Sequence, residues 1–432
     1  MKNIRNIILF VVVGNFLFLN GCSDPNTTAE KPAGDKEIRL WVAPNETQEA
    51  FWKIAVERWN DSGKGTRVYV TTIPATGSSE HAILTALVAG NAPDISTNIF
   101  SGFAAQLANL GQLEELSAMD GYQELIVARH MGNIMQDWDQ GGKTYVLPIY
   151  SNPTMVWWRG DILRRLGIED IPQTFDDVYR LSERYAASDN KFGMQVIAGK
   201  GWADRWFDFI SFYYATADGA PYIKDGKAVY NNSAGRSVLT FLETMFKNGW
   251  TSTDFDSEEP LVTGAVAGAV RGPWDIAYFK QMYPDTLKEI IIGPMISEKL
   301  PADKTFTFAD SKGLVLFKNS KVKEEAFAFI TWVLSNDELS LLWLEKTGLP
   351  PARGDLTENK IFKTFYQANP LAEKYAAYVD VAVPPAFIES TIDAQKAMGV
   401  EMIEPVQFGT KDRETALADA IRRTNKLLRL QR

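Results

Sequence analysis

The chain has almost no cysteine and almost no histidine. Among 432 residues there is one cysteine, Cys22, and there are two histidines, His81 and His130. A lone cysteine cannot close a disulfide within the chain, and two histidines without ligand partners at zinc spacing do not form a usual zinc site. Phosphate-binding glycine loops, dinucleotide fingerprints and Gly-x-Ser-x-Gly elbows are also missing. The sequence therefore predicts no metal and no cofactor.

Positive charge is not in excess either. The chain carries 45 Lys and Arg against 54 Asp and Glu, a formal net charge of −9, which becomes −11 if Lys2 and Arg5 leave with a leader. Because nucleic-acid binders need a basic surface that displaces counterions, this balance excludes a general nucleic-acid partner. Carboxylates are plentiful, so a pair of the glycosidase type stays open.

The N-terminus has the pattern of an export signal. A basic start precedes the apolar run Ile7–Leu19, which is too short for a comfortable membrane span. A Gly-Cys pair follows and resembles the lipid-attachment site of bacterial lipoproteins. We predict a signal peptide at 1–21, a lipidated Cys22, and a polar flexible tether over 22–35 that holds the folded body at a membrane in the cell envelope. A plain secretory leader is the alternative.

Strands and helices alternate after the tether. Ile38–Val42 and Arg67–Ile73 have strand patterns, and Thr47–Trp59 has apolar residues at helical spacing. A second capped helix ends at Gly90, and a third strand follows at Ile95. This strand–helix–strand–helix–strand order is typical of an α/β fold with a parallel sheet.

Proline breaks indicate two crossings between lobes. Lys143–Leu147 is predicted as a strand that Pro148 ends, and Thr154–Arg159 as the next strand. Gly293-Pro294 marks the second crossing. Ligands often bind between lobes. The predicted boundaries are 36–147 and 296–340 for the first lobe, and 148–295 and 341–432 for the second lobe.

Aromatic residues are abundant, with 12 Trp, 15 Tyr and 24 Phe. Trp and Tyr combine an apolar face with a polar group, which suits a sugar whose C–H face stacks while its hydroxyls form hydrogen bonds. Most of these aromatics belong in cores. The better candidates for a site stand beside turns and strand ends, where clefts form; with their polar neighbours they are Asn45, Glu46, Asn98, Phe100, Tyr150, Asn152, Trp202, Trp206 and Trp274.

Five segments in order resemble a known family. They are LTALVAGNAPDI (Leu84–Ile95), the Gly-Lys-x-Tyr-x-x-Pro crossing and aromatic strand (Gly142–Trp158), the Gly-x-x-x-x-Pro-x-Thr segment (Leu166–Asp177), GAVRGPW (Gly268–Trp274) and TGLPPAR (Thr347–Arg353). The resemblance covers most of the mature chain. The chain resembles the family 1 extracellular solute-binding proteins, the sugar-binding lipoproteins of ABC importers related to maltose-binding protein.

The resemblance implies a two-lobed periplasmic-binding-protein fold of type II. Its discontinuous lobes would be joined by hinges near Leu147–Tyr150 and Gly293–Met295, with the ligand in the cleft between them. The family's Gly-Pro-Trp tryptophan stacks on sugar, which maps to Trp274. The polar position after the crossing proline maps to Asn152, where the maltose-binding member has a carboxylate, so the ligand need not be maltose. Arg353, in the last motif, completes the candidate ligand-binding residues.

The predicted function is capture of a mono- or oligosaccharide by lobe closure and its delivery to the membrane permease subunits of an ABC importer. The predicted protein is a monomer, anchored through Cys22 on the periplasmic or extracellular face, and not an enzyme. Two alternatives stay open: a secreted glycan-acting lipoprotein enzyme, and the same fold binding a polyol, a peptide-like solute or a phosphorylated solute.

Overall fold

The predicted alternation of strands and helices begins with the first described strand. The computed structural model describes residues 36–74, 77–187, 190–197 and 199–430, so the predicted signal peptide, Cys22 and the tether lie outside the described residues. The strands in this part are β1 (Glu37–Val42), β2 (Arg67–Thr72), β3 (Ile95–Ile99), β4 (Leu147–Pro153), β5 (Met155–Arg159), β6 (Ile223–Lys224), β7 (Lys227–Ala228), β8 (Gly268–Arg271), β9 (Ile290–Gly293), β10 (Thr307–Leu316) and β11 (Ala382–Val383).

Helices connect and cover these strands. In the N-terminal half they are α1 (Glu46–Ser62), α2 (Ser79–Val88), α3 (Ser101–Asn109), α4 (Tyr122–Ala128), α5 (Gly132–Gln136), α6 (Gly160–Arg165), α7 (Phe175–Tyr185) and α8 (Trp202–Thr216). They continue as α9 (Ser233–Lys247), α10 (Pro260–Thr263), α11 (Trp274–Met282), α12 (Pro284–Lys288), α13 (Lys323–Ser335), α14 (Asp337–Thr347), α15 (Lys363–Ala368), α16 (Pro370–Ala376), α17 (Thr391–Met398), α18 (Glu404–Gln407) and α19 (Arg413–Arg429). Among the described residues, no helix is long and apolar enough to span a membrane.

The first sheet has six strands in the order β11-β10-β3-β1-β2, with β4 paired to β10. β1 runs parallel to both β2 and β3, so the strand–helix–strand–helix–strand prediction is confirmed. β10 runs antiparallel to β3 and to β4. The carboxyl ends of β1, β2 and β3 therefore open at one edge of the sheet, which is where ligands bind in open α/β folds.

The prediction of a strand over Lys143–Leu147 that Pro148 ends is wrong, because β4 begins only at Leu147 and Pro148 lies within it. β4 pairs with β10 on one side, with Pro148 opposite Gly313. The nitrogen of a proline cannot donate, and a strand tolerates proline where that position needs no ladder partner.

A second, smaller sheet has the antiparallel order β8-β5-β9. The predicted strand Thr154–Arg159 corresponds to β5, one residue shorter at its start. A capping box begins α7: the Thr174 side chain accepts from the backbone N–H of Asp177, and the Asp177 carboxylate accepts from the backbone N–H of Thr174. Such a box pairs two backbone donors that the first helical turn leaves unsatisfied.

Buried residues form two large clusters along the chain. The first core runs from Ile38 to Tyr150 and resumes at Leu314. The second core runs from Val156 to Ile296 and includes Phe308. A third, smaller cluster lies under the second sheet. The chain therefore passes from the first core to the second near β4 and returns to the first in β10, and these two strands pair with each other.

The packing of one segment differs from the predicted lobe boundaries. Residues 341–432 were assigned to the second lobe, but Leu344, Ala352 and Phe362 lie in the first core. Chain from Met398 onward returns to the second core. The first core also resumes later than Gly293, because Met295 and Ile296 are still buried in the second core. Boundaries drawn at proline breaks missed this, since β10 passes between the cores as one unbroken strand.

Candidate ligand-binding site

Polar side chains line one face of the paired strands β4 and β10. Phe308, Asp310 and Lys312 alternate along β10, so they share a face of the sheet. Opposite them on β4, Asn152 pairs with Asp310 and Tyr150 pairs with Lys312. Directly opposed residues of an antiparallel ladder point to the same side. Two candidates from the sequence, Tyr150 and Asn152, therefore lie beside a carboxylate and an ammonium of the returning strand.

Asn98 joins this row from the neighbouring strand. Its side-chain oxygen accepts a hydrogen bond from Lys312 Nζ at 3.0 Å, and its amide donates to Ser79 Oγ at 3.1 Å. The backbone of Asn98 has φ of 65°, in the left-handed region that asparagine tolerates better than most residues. This conformation places Asn98 beside β10 at the carboxyl end of β3.

Tyr150 is held from two sides. Its ring stacks on Trp343, with centroids 5.7 Å apart and planes 15° apart, and its hydroxyl bonds to the side chain of Gln48. Burial raises the pKa of Tyr150, and the nearby Asp310 carboxylate raises it further. The phenol therefore stays neutral, and it is fixed in one orientation by the first core.

Trp274 lies in a separate cavity of about 390 Å³ in the second lobe. It is the first residue of α11, and 38% of its surface is exposed. Such exposure is unusual for so large an apolar side chain and leaves a ring face open to a ligand. Trp274, the candidate from the Gly-Pro-Trp motif, therefore presents an exposed aromatic face to a cavity.

The cavity around Trp274 is rich in hydrogen-bond acceptors. Its lining includes Asp204, Asp208, Glu258, Asp275 and one cation, Arg271. Arg271 is already paired, with Glu259 at 2.8 Å and with Asp275 at 3.7 Å. Burial raises the pKa of Asp275, and the charge of Arg271 opposes that rise. The local balance is negative, which suits a ligand that donates hydrogen bonds and does not suit an anion.

Aromatic contacts connect this cavity with the polar row on β10. The ring of Phe207 lies 6.3 Å from that of Trp274 and 5.1 Å from that of Phe308. Phe308 precedes Asp310 by two residues, a step of about 7 Å along a strand. The Trp274 cavity and the β4–β10 row are therefore neighbouring walls of one candidate site.

Three further candidates lie at the carboxyl edge of the first sheet. Asn45 caps α1, accepting from the Gln48 backbone at 3.1 Å and from Thr47 Oγ1 at 2.9 Å. Glu46 is exposed in the first turn of the same helix. Phe100 precedes α3 and stacks on Phe103, with centroids 6.5 Å apart. Asn45 is thus used in capping, whereas Glu46 remains available to solvent.

Two tryptophans differ in their surroundings. Trp206 is 4% exposed and packs edge-on against Phe308 at 5.4 Å, within the second core. Trp202 is half-buried at the start of α8, against Gly399. Trp206 supports the aromatic contacts beneath the site. Phe207 directly follows Trp206 in α8 and lies between Trp274 and Phe308 of β10, and the sequence did not single it out.

Arg353 lies inside the first core. It is 1% exposed, and its guanidinium pairs with Asp355 at 2.6 Å and Asp337 at 2.7 Å, above the ring of Phe362. These carboxylates and Ser340 engage its nitrogens. We therefore leave Arg353 out of the proposed site, because its donors are used to hold the turn that contains it.

The sequence alone did not identify Asp310 and Lys312 as candidates. The signal that could have found them is the two-residue spacing of the charged Asp310 and Lys312, which places both side chains on one face if the segment is a strand. In the described part of the chain, no cluster of three or more His, Cys, Asp or Glu residues is arranged to hold a metal ion.

A model of the family described as "Bacterial extracellular solute-binding protein" matches residues 43–339. The chain belongs to this family. As the family description implies, this solute-binding protein acts outside the cytoplasm. Curated relatives include an arabinooligosaccharide-binding protein of Bacillus subtilis (strain 168), 23% identical over 84% of this chain and 83% of the relative. A maltodextrin-binding protein of the same strain is 24% identical over 77% of each chain.

Solved structures share the fold of this solute-binding protein. An uncharacterised protein of Listeria monocytogenes EGD-e is 30% identical, with a TM-score of 0.86 over 91% of this chain and 99% of that chain. The sugar-binding protein MalE of Xanthomonas citri is 18% identical, with a TM-score of 0.77 over 92% of this chain and 98% of that chain. The predicted α/β periplasmic-binding-protein fold is therefore confirmed.

Proposed function

We propose that this solute-binding protein captures a carbohydrate and delivers it to the permease of an ABC importer. The observation that carries the proposal is the exposed face of Trp274 in a cavity lined by carboxylates. A sugar presents apolar C–H faces and hydroxyl edges together, so a ring that stacks and acceptors that bind hydroxyls are complementary to it. The names of the curated relatives, which bind arabinooligosaccharide and maltodextrin, support the same class of ligand.

Lobe closure supplies the mechanism. Trp274 contacts Phe207, which packs against the second core, whereas Tyr150 is buried in the first core, and β4 and β10 pair between the two cores. A ligand that touches both walls in the closed state stabilises that state by its differential affinity. The closed form then docks on the membrane permease, and a separate subunit of the importer hydrolyses ATP. No step in this cycle requires chemistry on the ligand, so we propose a binding protein and not an enzyme.

The lipid anchor is part of the proposal. Cys22, with two or more acyl chains, holds the protein at the membrane, and residues 22–35 give the lobes freedom to reach the permease. The protein acts as a monomer. Cys22→Ser in the producing cell tests the anchor: the protein moves from the membrane fraction to the soluble fraction and loses palmitate labelling. Retention of labelled lipid in the variant contradicts the assignment.

Binding is tested by a thermal-shift screen of the purified protein against neutral mono- and oligosaccharides, polyols, peptides and sugar phosphates. A ligand at 100 times its dissociation constant adds about 2.7 kcal/mol of stability. Any hit is then measured by calorimetry and by small-angle scattering, where closure reduces the radius of gyration. Product analysis of the same mixtures detects turnover, which would support a glycan-acting enzyme. A hit confined to peptides or phosphates overturns the carbohydrate assignment.

A further inference from the structure

Two polar groups on the β4–β10 row lack partners. Asn152 is 2% exposed, and its side-chain oxygen is buried with no hydrogen bond among the described residues. Asp310, directly across the ladder, is half-buried, and no hydrogen bond or ion pair within the described part of the chain reaches its carboxylate. Buried polar atoms without partners destabilise a fold, and nearly all such atoms in proteins are satisfied. This pair is therefore a place where a ligand supplies the missing partners.

The nearby cation does not satisfy Asp310. Lys312 lies two residues along the same face, and its ammonium donates to Asn98 at 3.0 Å. Burial raises the pKa of Asp310, and the charge of Lys312 offsets only part of that rise. Tyr150 beside it is bonded to Gln48. We call Asp310, Asn152 and Lys312 the crossing-strand subsite.

We propose that the crossing-strand subsite binds neighbouring hydroxyls of an uncharged sugar, with Asp310 as the residue that determines specificity. The proposal rests on the carbohydrate function above. A carboxylate accepts hydrogen bonds from two hydroxyls, and the oxygen of Asn152 accepts another. Hydrogen bonds to a charged group contribute more than neutral ones, particularly where water is excluded by a closed cleft.

Charge selects against an acidic sugar at this subsite. The charges of Asp310 and Lys312 offset each other, but the neighbouring wall around Trp274 adds several carboxylates and one paired arginine. A sugar carboxylate beside Asp310 meets like charge, whereas a hydroxyl at the same position donates to it. The subsite therefore discriminates a neutral sugar from the uronic acid of the same ring.

The test starts with a neutral sugar that the wild-type protein binds, and compares Asp310→Asn with Asp303→Asn. Asp303 is an exposed carboxylate just before β10 and serves as the matched control. We expect Asp310→Asn to weaken the sugar tenfold or more and to leave the ligand-free melting temperature unchanged or raised. Asp303→Asn keeps wild-type affinity. A structural role for Asp310 would instead lower the melting temperature.

Deoxy sugars and the uronic acid identify the contact. A deoxy analogue lacking the recognised hydroxyl binds the wild type less tightly than the parent sugar does. This difference in affinity is smaller in Asp310→Asn, because the amide has lost the charge that strengthens the hydrogen bond. The preference for the neutral sugar over its uronic acid shrinks in the same variant. Asn152→Leu removes the unpaired oxygen, and we expect it to weaken sugar binding without loss of stability. This variant tests the subsite independently of Asp310.

The outcomes separate the two proposals. If the wild type binds sugars and Asp310→Asn binds them equally, the subsite assignment is overturned and the carbohydrate function stands. If the wild type binds no sugar in a broad panel, the carbohydrate function fails and the subsite proposal fails with it. A wild type that prefers the uronic acid contradicts the charge argument and assigns the subsite to Lys312.

Discussion

Gly272 leaves the space that the ring of Trp274 occupies. A β-carbon built on Gly272 would lie 2.2 Å from the nearest ring atom, far inside van der Waals contact. The ring is a partly exposed side-chain end, so it can move aside without disturbing the core. We expect Gly272→Ala to displace the stacking face and weaken sugar binding about fivefold or more, with a stability change below about 1 kcal/mol.

The control for this substitution is Gly132→Ala. Gly132 begins α5, a β-carbon there has no neighbour within 4 Å, and its backbone is not left-handed. Calorimetric titration of both variants with the same sugar measures the difference. Equal affinity for Gly272→Ala and wild type would mean that the position of the Trp274 ring does not matter for binding.

Removal of the ring itself has a larger effect. We expect Trp274→Ala to reduce sugar affinity by tenfold or more, which is about 1.4 kcal/mol or more, because both stacking and apolar burial are lost. Tyr278→Ala on the same helix is the matched control, since Tyr278 is 42% exposed and does not line the cavity. A sugar hit that survives Trp274→Ala unchanged would move the site elsewhere.

Arg353 is expected to affect stability and not binding. Arg353→Met leaves Asp355 buried without its cation, and breaking a buried pair in this way costs about 3–5 kcal/mol of unfolding free energy. Arg422→Met removes an exposed pair with Asp419 and serves as the control, with a change below about 0.5 kcal/mol. Urea denaturation measures both. If Arg353→Met is as stable as wild type but no longer binds sugar, then Arg353 is a ligand-binding residue.

The ion pair between Arg353 and Asp355 also predicts that the stability of the fold depends on pH. Burial alone would raise the pKa of Asp355, but the hydrogen bonds and charge of Arg353 outweigh it and hold that pKa below its usual value. A lowered pKa in the folded state stabilises the fold above the unfolded-state pKa, and this contribution is lost as pH falls through the folded-state pKa. We therefore expect the difference in unfolding free energy between wild type and Arg353→Met to become smaller in strong acid. Urea denaturation at several pH values measures this difference.

Sugar affinity is expected to fall in acid through Asp310. Burial raises the pKa of this carboxyl, and Lys312 on the same face opposes the rise; Tyr150, whose own pKa is raised, stays neutral. Hydroxyl donors favour the ionised carboxylate, so affinity declines as pH drops through the raised pKa, earlier than an ordinary aspartate would cause. Titrations from neutral pH downward should show this decline in wild type and not in Asp310→Asn.

Local pattern predicted much of the first sheet and part of the site. The strand–helix alternation followed from residue periodicity. Trp274 was a candidate because the contiguous Gly-Pro-Trp segment resembles a motif of the family, and its ring lines a cavity. Sequence patterns predict interactions between residues that are close together in the chain.

The long-range part needed the fold. Which side chains face Asn152 depends on how β10 pairs with β4, and a shift of one residue in that ladder would turn Asp310 away. Arginine is a residue type that often contacts ligands, but Arg353 is buried in the first core, where its guanidinium pairs with the carboxylate of Asp355. By itself, then, the sequence determined the alternating elements, the family motifs and the aromatic residue at the cavity. The tertiary structure alone decided which polar residues meet across the crossing, because register and core packing depend on segments that are far apart in the chain.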